Sequence, residues 1–305
     1  MDGLLILDKP SGLTSQQALS RVRRALKVKK LGHTGTLDPL ATGVLPIALG
    51  EATKIIPYLE ETTKSYRVTG RLGETTDSYD SDGKTLRRAD PAWVDHGQLV
   101  ALIQNFLGPQ EQVPPLYSAI KVQGRPLYSY ARSGEGEDVE LKPRQVHFAG
   151  LELEGFVSPD FVLRVDCSKG TYVRSLIHDI GERLGCGAHV TELRRLASGP
   201  FELSRALTLD RILEDPSEAE AHLLSIEELL QSWPHVELEA SEVDRVRSGV
   251  PLLRVQRFVE ENELFDRRLV LAQGETIHAL IETVPGKEFE YLRVLNRAIR
   301  QLNAG

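Results

Sequence analysis

The chain has 305 residues, 41% hydrophobic and 27% charged, with a formal net charge of −7, which suits one large globular domain or a large domain with a small second one. No run approaches the roughly 18 apolar residues of a membrane helix, and MDGLLILDKP lacks the basic start and small-residue cleavage site of a signal peptide, so a cytoplasmic protein with no membrane partner is expected. Cys167 and Cys186 have no metal-ligand spacing and are expected as reduced core residues.

The charge is unevenly placed. RVRRALKVKK, residues 21–30, carries six basic side chains and no acid, whereas residues 210–245 carry eleven acids against Arg211 and Arg245. A basic face can bind phosphates in a chain whose total is negative, so the sum alone excludes no nucleic-acid partner.

In chain order, GLLIL at 3–7 reads as a buried strand closed by the turn cluster DKPSG. Thr14 or Ser15 then caps a helix whose apolar residues, Ala18, Leu19, Val22, Ala25 and Leu26, recur at helical spacing. Its other face carries Arg21 and Arg24, followed by Lys27, Lys29 and Lys30; such a face is either solvated or aimed at phosphates. LGHTGTLDPLATGVLPIALG at 31–50 comes next, nearly free of charge except for Asp38. A residue before proline is kept from helical backbone angles. Asp38 therefore either caps a short helical turn with Pro39 at its first position or does chemistry in a neutral setting. His33 is equally open, since a lone histidine commonly makes a structural hydrogen bond. GHTGT lacks the Lys-Ser/Thr of a phosphate-cradling loop.

SYRVTGRL at 65–72 alternates as a strand with Arg67 and Arg71 on one face, and LVALIQNFL at 99–107 reads as a helix ending at Gly108-Pro109. A long loop from Pro114 to Pro143 interleaves Tyr117, Lys121, Arg125, Tyr128, Tyr130 and Arg132, a mixture suited to stacking on RNA bases and contacting phosphates. FVLRVDC at 161–167 is a strand leading through Ser168-Lys169-Gly170 into a helix with the stripe Val173, Leu176, Ile177, Ile180 and Leu184. Arg174 falls in the first turn of that helix, where the macrodipole disfavours a cation. A carboxylate nearby would offset this, and Asp38 is an isolated one. Residues 200–232 read as an acidic helical connector, and HVELE, RLVLAQ, IHALIET and YLRVL beyond it as a small β-rich appendix.

Four stretches carry a resemblance: GHTGTLDPLATGVLPIALGEATK, KSYRV at 64–68, PPLYSAIKVQG at 114–124 and CSKGTYVRSLIHDIGERLGCGAHVTELRRLASGPF at 167–201. Together, in this order, they resemble the signature of the TruB-type tRNA pseudouridine synthases across nearly all of residues 1–205. The resemblance implies an α/β (α+β) chain: a mixed-sheet catalytic domain over 1–232, with a thumb-like RNA-clasping insertion at about 115–143 and an acidic connector at about 205–232, and a small β-rich PUA-like RNA-binding domain over 233–305. The tail is most similar in VELEASEVDRVRSGVPL; past residue 255 the similarity fades. SGEGEDVELKPR, at 133–144, is longer and more acidic than the family's usual run there.

The activity implied is isomerisation of uridine 55 in the T-loop of tRNA to pseudouridine, alongside help with tRNA folding. Asp38 matches the family's catalytic aspartate, Tyr66 the tyrosine that packs on the target base, and Arg174 the arginine paired with the aspartate. Tyr172 and Leu193 match other pocket residues, His33 the histidine that helps extrude the nucleotide, and Lys54 and Asp80 polar residues beside the pocket. No metal or cofactor is implied, no guide RNA is expected, and the chain is expected to be a monomer. A neutral setting around Asp38 suits the chemistry, because bulk water would hydrolyse a covalent or cleaved intermediate. The target base must leave its stack to be reached. The alternatives are a guide-RNA-dependent synthase, against which the long 115–143 loop argues, a non-catalytic RNA-folding protein, and a hydrolase built on Asp38 and His33, which lacks a second acid at useful spacing.

Overall fold

A computed structural model of the chain describes residues 1–59, 63–136, 139–274, 276–284 and 289–299. GLLILDK forms strand β1 (Gly3–Lys9), and helix α1 (Ser15–Ala25) follows the Pro-Ser-Gly turn. Of the two candidate caps, Thr14 is the one used: its hydroxyl accepts from the Gln17 amide while the Gln17 side chain accepts from the Thr14 amide, a reciprocal closure of two orphan donors. Then come β2 (Leu31–His33), β3 (Thr42–Leu49), β4 (Thr63–Leu72), a short pair β5 (Glu74–Thr76) and β6 (Thr85–Arg88), helix α2 (His96–Gln104) and β7 (Gly108–Gln112).

The Pro114–Pro143 segment, expected as a loop, contains a small hairpin, β8 (Lys121–Val122) with β9 (Arg125–Pro126), and helix α3 (Leu127–Ser133). Arg125 knits it together by donating to the Ser129 hydroxyl and carbonyl, the Ser133 hydroxyl and Glu135. Its guanidinium also lies 4.3 Å from the centre of the Tyr130 ring. Residues 137 and 138 of the acidic run SGEGEDVELKPR lie outside the described residues.

The hairpin β10 (Arg144–Val157) and β11 (Asp160–Ser168) leads into α4 (Val173–Leu184), β12 (Ala188–Ser198), and the short β13 (Phe201–Glu202) and β14 (Leu207–Thr208). The acidic connector is three short helices, α5 (Leu209–Glu214), α6 (Pro216–Ala221) and α7 (Ile226–Leu229). The appendix holds β15 (His235–Glu237), α8 (Val243–Arg247), α9 (Leu253–Glu261), β16 (Arg268–Gln273), β17 (Thr276–Glu282) and β18 (Glu290–Ile299).

The large sheet runs β14-β1-β3-β12-β4-β11-β10-β7, with β13 added to β12 and β2 to β3. It is mixed: β1–β14 and β3–β12 are parallel and the remaining pairs antiparallel. One main core lies between this sheet and its helices, joining Leu5, Ile47, Val68 and Leu163 to Val22 of α1 and Leu176 and Ile180 of α4. The second sheet, β15-β16-β17-β18, has its own core against α8 and α9. A further cluster couples the two sheets, with Ala48, Ala52 and Ile55 packed on Ile226, Trp233, Val270 and Leu280.

The basic face expected for 65–72 is present, but its arginines are paired with acids. Arg67 Nε lies 2.6 Å from Glu154, and Arg71 grips Asp160, its cross-strand neighbour, with bonds of 2.7 and 2.9 Å. The acids come from strands some ninety residues further on, beyond the reach of local pattern.

The seat of α4 on β12 depends on one glycine. A Cβ on Gly181 would stand 2.0 Å from the Ala188 amide nitrogen, so Gly181→Ala must lift the helix end. A loss of about 1–3 kcal/mol is expected, measured by urea unfolding; an unchanged midpoint would mean that α4 slides freely on the sheet.

Candidate active site

Strands β3 and β12 pair in register only at Thr42 with Arg194 and Gly43 with Arg195, and a cleft of about 340 Å³ opens beside this junction. Asp38, Tyr66, Tyr172, Arg174 and Leu193 all line it, with Ser118–Ile120 of the 114–143 segment closing one wall. Gly43 makes the junction possible: its φ is +97°, and a Cβ there would sit 2.2 Å from the Arg195 carbonyl, so only glycine fits.

The segment before β3 is held by its backbone. Arg195, wholly buried, donates to the carbonyls of Val44 at 2.6 Å, Gly35 at 3.1 Å and Thr36 at 3.4 Å. The Ser15 hydroxyl both accepts from the Leu37 amide and donates to the Leu37 carbonyl. The Asp38 carbonyl accepts from Ala41, that of Pro39 from the Gly12 amide and Lys9 Nζ, and that of Leu40 from Ser11. Six consecutive carbonyls therefore have partners. Among these residues the Asp38 carboxylate is left to face the cleft.

This arrangement bears on the helix-cap reading of Asp38. No helix follows it; Pro39 and Leu40 are the corners of a turn closed by the Ala41 amide. The cap is overturned, and the carboxylate meets Arg174 instead, Oδ2 to Nε at 3.0 Å. The contact is one of charge rather than an aligned hydrogen bond, since Nε has no acceptor in good geometry. Arg174 is 3% exposed, and its other nitrogens donate to the carbonyls of Ser78 and Tyr117, both at 2.8 Å, and stand 3.3 Å from Asp80. Two carboxylates thus offset the misplaced cation at the start of α4.

Tyr66 is buried on β4 directly across from Arg195. Burial pushes its hydroxyl up, against the pull of the adjacent Arg195 guanidinium, so the ring is neutral. Tyr172, just before α4, is pinned by a closed pair of bonds between its backbone and the Gln112 amide, at 2.7 and 3.0 Å. Leu193 lies on β12 opposite Val68.

The remaining expected site residues do not line the cleft itself. Asp80 sits behind Arg174, away from the cleft wall. Lys54 is bound to Glu51 at 2.5 Å and does not reach the cleft, and His33 lies on β2 outside its lining. Two buried cations that organise the site were missed by the sequence reading. Lys9, wholly buried, donates to the carbonyls of Pro10, Leu13 and Pro39. The signal for Arg195 was its parity: it shares an inward-facing phase with Leu193 on β12.

Electrostatically, burial dominates at Asp38 and raises its carboxyl above the ordinary value; Arg174 opposes, Asp80 adds to the rise, and Lys9 opposes. Burial also brings Lys9 down to about 8, with Asp38 resisting and Arg195 assisting. A carboxyl raised in the folded state holds its proton more tightly there than in the unfolded chain, so its ionised form costs stability above the raised value. That cost disappears below the unfolded value of about 4. Asp38→Asn is therefore expected to raise Tm at neutral pH and to leave it unchanged near pH 3; a neutral-pH loss would reverse the assignment of sign.

Comparison with known proteins shows the family of the chain. The N-terminal domain of the TruB family pseudouridylate synthases matches residues 23–173, and the tRNA pseudouridylate synthase B C-terminal domain matches residues 174–231. The tRNA pseudouridine synthase B of Geobacter sulfurreducens is 42% identical over 306 residues, covering 97% of this chain and 100% of that one. The protein of the same name from Ectopseudomonas mendocina is 48% identical over 239 residues, 77% of each chain. A chain of the crystal structure of a Cbf5-Nop10-Gar1 complex superposes with a TM-score of 0.67 at 25% identity, covering 97% of this chain and 84% of that one. With two family domains end to end and relatives above 40% identity over most of the length, the chain belongs to the TruB family of pseudouridylate synthases.

Proposed function

We propose that this chain converts uridine 55 in the T-loop of tRNA to pseudouridine, with Asp38 as the nucleophile. The observation that carries the reading is the lone carboxylate facing a narrow cleft, its loop carbonyls all occupied and a buried arginine 3.0 Å away. In the isomerisation the N1–C1′ bond breaks, uracil turns within the site, a C5–C1′ bond forms, and the C5 proton leaves as N1 gains one. Asp38, ionised, attacks either the base or C1′. Tyr66 and Leu193 present apolar surface to the extruded base and help exclude water, and Tyr172 completes the wall. Arg174, shared between Asp38 and Asp80, fixes the carboxylate's orientation and supports its charge. His33 and Lys54, outside the cleft, belong in this reading to the surrounding RNA surface. The reaction calls for no cofactor or metal.

The relatives bear the name tRNA pseudouridine synthase B, which supports tRNA as the substrate. The Cbf5 neighbour was solved with Nop10 and Gar1; here the 114–143 segment is knit to itself and supplies Ser118–Ile120 to the cleft wall. This favours an enzyme acting alone, as a monomer in the cytoplasm without guide RNA, the segment serving as an RNA clasp. The unit from 233 onward, PUA-like in this reading, adds RNA contacts.

Release of tritium from 5-tritiated uridine in a T-arm transcript tests the activity. Asp38→Asn is expected to release none while binding the T-arm about as well as wild type, because the amide cannot act as nucleophile and phosphate contacts supply most of the affinity. Wild-type turnover by this variant would discard the mechanism.

Phosphate binding is assigned to the α1 end. Arg21, Arg23, Arg24, Lys27, Lys29 and Lys30 are exposed and make no ion pair among the described residues, whereas Arg67 and Arg71 are already paired. T-arm affinity should fall steeply with salt, with the log–log slope shallower by roughly 0.7–0.9 for each phosphate-contacting charge of this cluster replaced by alanine. Arg67→Ala should leave the slope nearly unchanged; the opposite ranking would move the interface to the strand face.

A further inference from the structure

Asp80 and the Ser78 carbonyl reach Arg174 from a tight turn, residues 76–82, between β5 and β6. The turn is closed on itself: the Thr76 hydroxyl donates to the Asp80 carbonyl at 2.7 Å, the Ser78 hydroxyl to the Asp80 carboxylate, and the Asp82 amide to that same carboxylate. Its backbone is tied to β12 by paired bonds between Tyr79, Ser81 and Val190. At its apex Tyr79 has a φ of +64°, a left-handed conformation uncommon for any residue with a bulky side chain and natural to glycine. The ring that this backbone carries is not loose. It stacks on His178 with centroids 3.8 Å apart and planes 11° from parallel.

His178 lies on α4 four residues after Arg174, on the same helix face. The turn is therefore fastened to α4 at two points one helical turn apart, by charge at Arg174 and by ring contact at His178. We propose that the Tyr79–His178 stack is a positioning device for the reaction: it sets the distance between the Asp80 turn and Arg174, and through Arg174 the orientation of the Asp38 carboxylate. Neither residue touches the cleft, so both act through Arg174. The stack explains why a strained tyrosine occupies a position that glycine would fill without cost. Burial keeps the His178 ring below its ordinary pKa, and its Nδ1 is buried without a hydrogen-bond partner, so two neutral rings are in contact. Asp179, Glu182 and Arg87 surround them, the last two joined in an ion pair of 2.6 Å.

The inference rests on the proposed activity for its kinetic consequence, and its test separates the two. Tyr79→Gly removes the ring while relaxing the backbone. It is expected to slow single-turnover conversion of T-arm uridine by about 10- to 100-fold, with T-arm affinity unchanged; Tyr79→Phe restores the rate, and His178→Ala matches Tyr79→Gly. In an Asp80→Asn background Tyr79→Gly should cost little more, because the two changes remove the same constraint. Wild-type rate in Tyr79→Gly, an equal loss in Tyr79→Phe, or a fully additive loss with Asp80→Asn would each overturn the inference. The Arg174 Nε–H resonance, recorded without RNA, is expected to move in Tyr79→Gly and stay in place in Tyr79→Phe; no movement overturns the inference whatever the activity. A wild-type chain that leaves T-arm uridine untouched would overturn the activity reading instead.

Discussion

The contact between Asp38 and Arg174 is the constraint around which the large sheet is arranged. A guanidinium at 3% exposure needs acceptors for its donors and a counter-charge for its cation. Three separate parts of the chain converge to supply them: the turn before β3 with Asp38, the turn after β5 with Ser78 and Asp80, and the start of the 114–143 segment with the Tyr117 carbonyl. Remove Arg174 and two carboxylates are left near one another without the charge between them. The cost of burying such a centre is borne by the rest of the fold, a usual trade at sites built for chemistry.

Asp38 is made available by elimination. Lys9, Ser15 and Arg195 spend their polar groups on main-chain atoms of the 35–41 segment and its flanks. The segment therefore leaves none of the carbonyls of 35–40 unpaired, and the carboxylate, half-buried, is held against a cation at the cleft. Burial and the second acid push Asp38 toward protonation while Arg174 and Lys9 push the other way. The site holds an anion under opposing forces, which is what makes its charge informative in a pH-dependent stability measurement.

Charge outside the site divides into spent and unspent. Arg67, Arg71, Arg87 and Arg125 sit in ion pairs with acids of neighbouring elements, and exposed pairs of this kind add little stability. Each of these cations already has a carboxylate beside it. The cluster on α1 and the residues after it makes no ion pair among the described residues, so the net value of −7 says little about where a nucleic acid would bind.

Much of this was legible in the sequence. The periodicities of β1, α1, β4, β11 and α4 stand where the alternating and helical patterns put them, and the strands of the appendix follow their apolar runs, because each of those elements buries one face and the pattern of that face is local. The misplacement of Arg174 at a helix start pointed to an acid before any contact was known, since helix polarity too is a local property. Local pattern could not reveal the partners of Arg67 and Arg71, the turn that replaces a helix cap at Asp38, the hairpin within 114–143, or the carbonyls that occupy Lys9 and Arg195. The partners of Arg67, Arg71 and Arg195 come from 87 to 160 positions away, the turn and the hairpin are short-range contacts that periodicity does not register, and a strand pattern specifies which face is buried without specifying what meets it. The sequence by itself determined the elements, their inward faces and the residues fit for the chemistry; the tertiary structure alone decided which of those residues share a cleft, because hydrogen-bond saturation and charge pairing are settled only where distant segments touch.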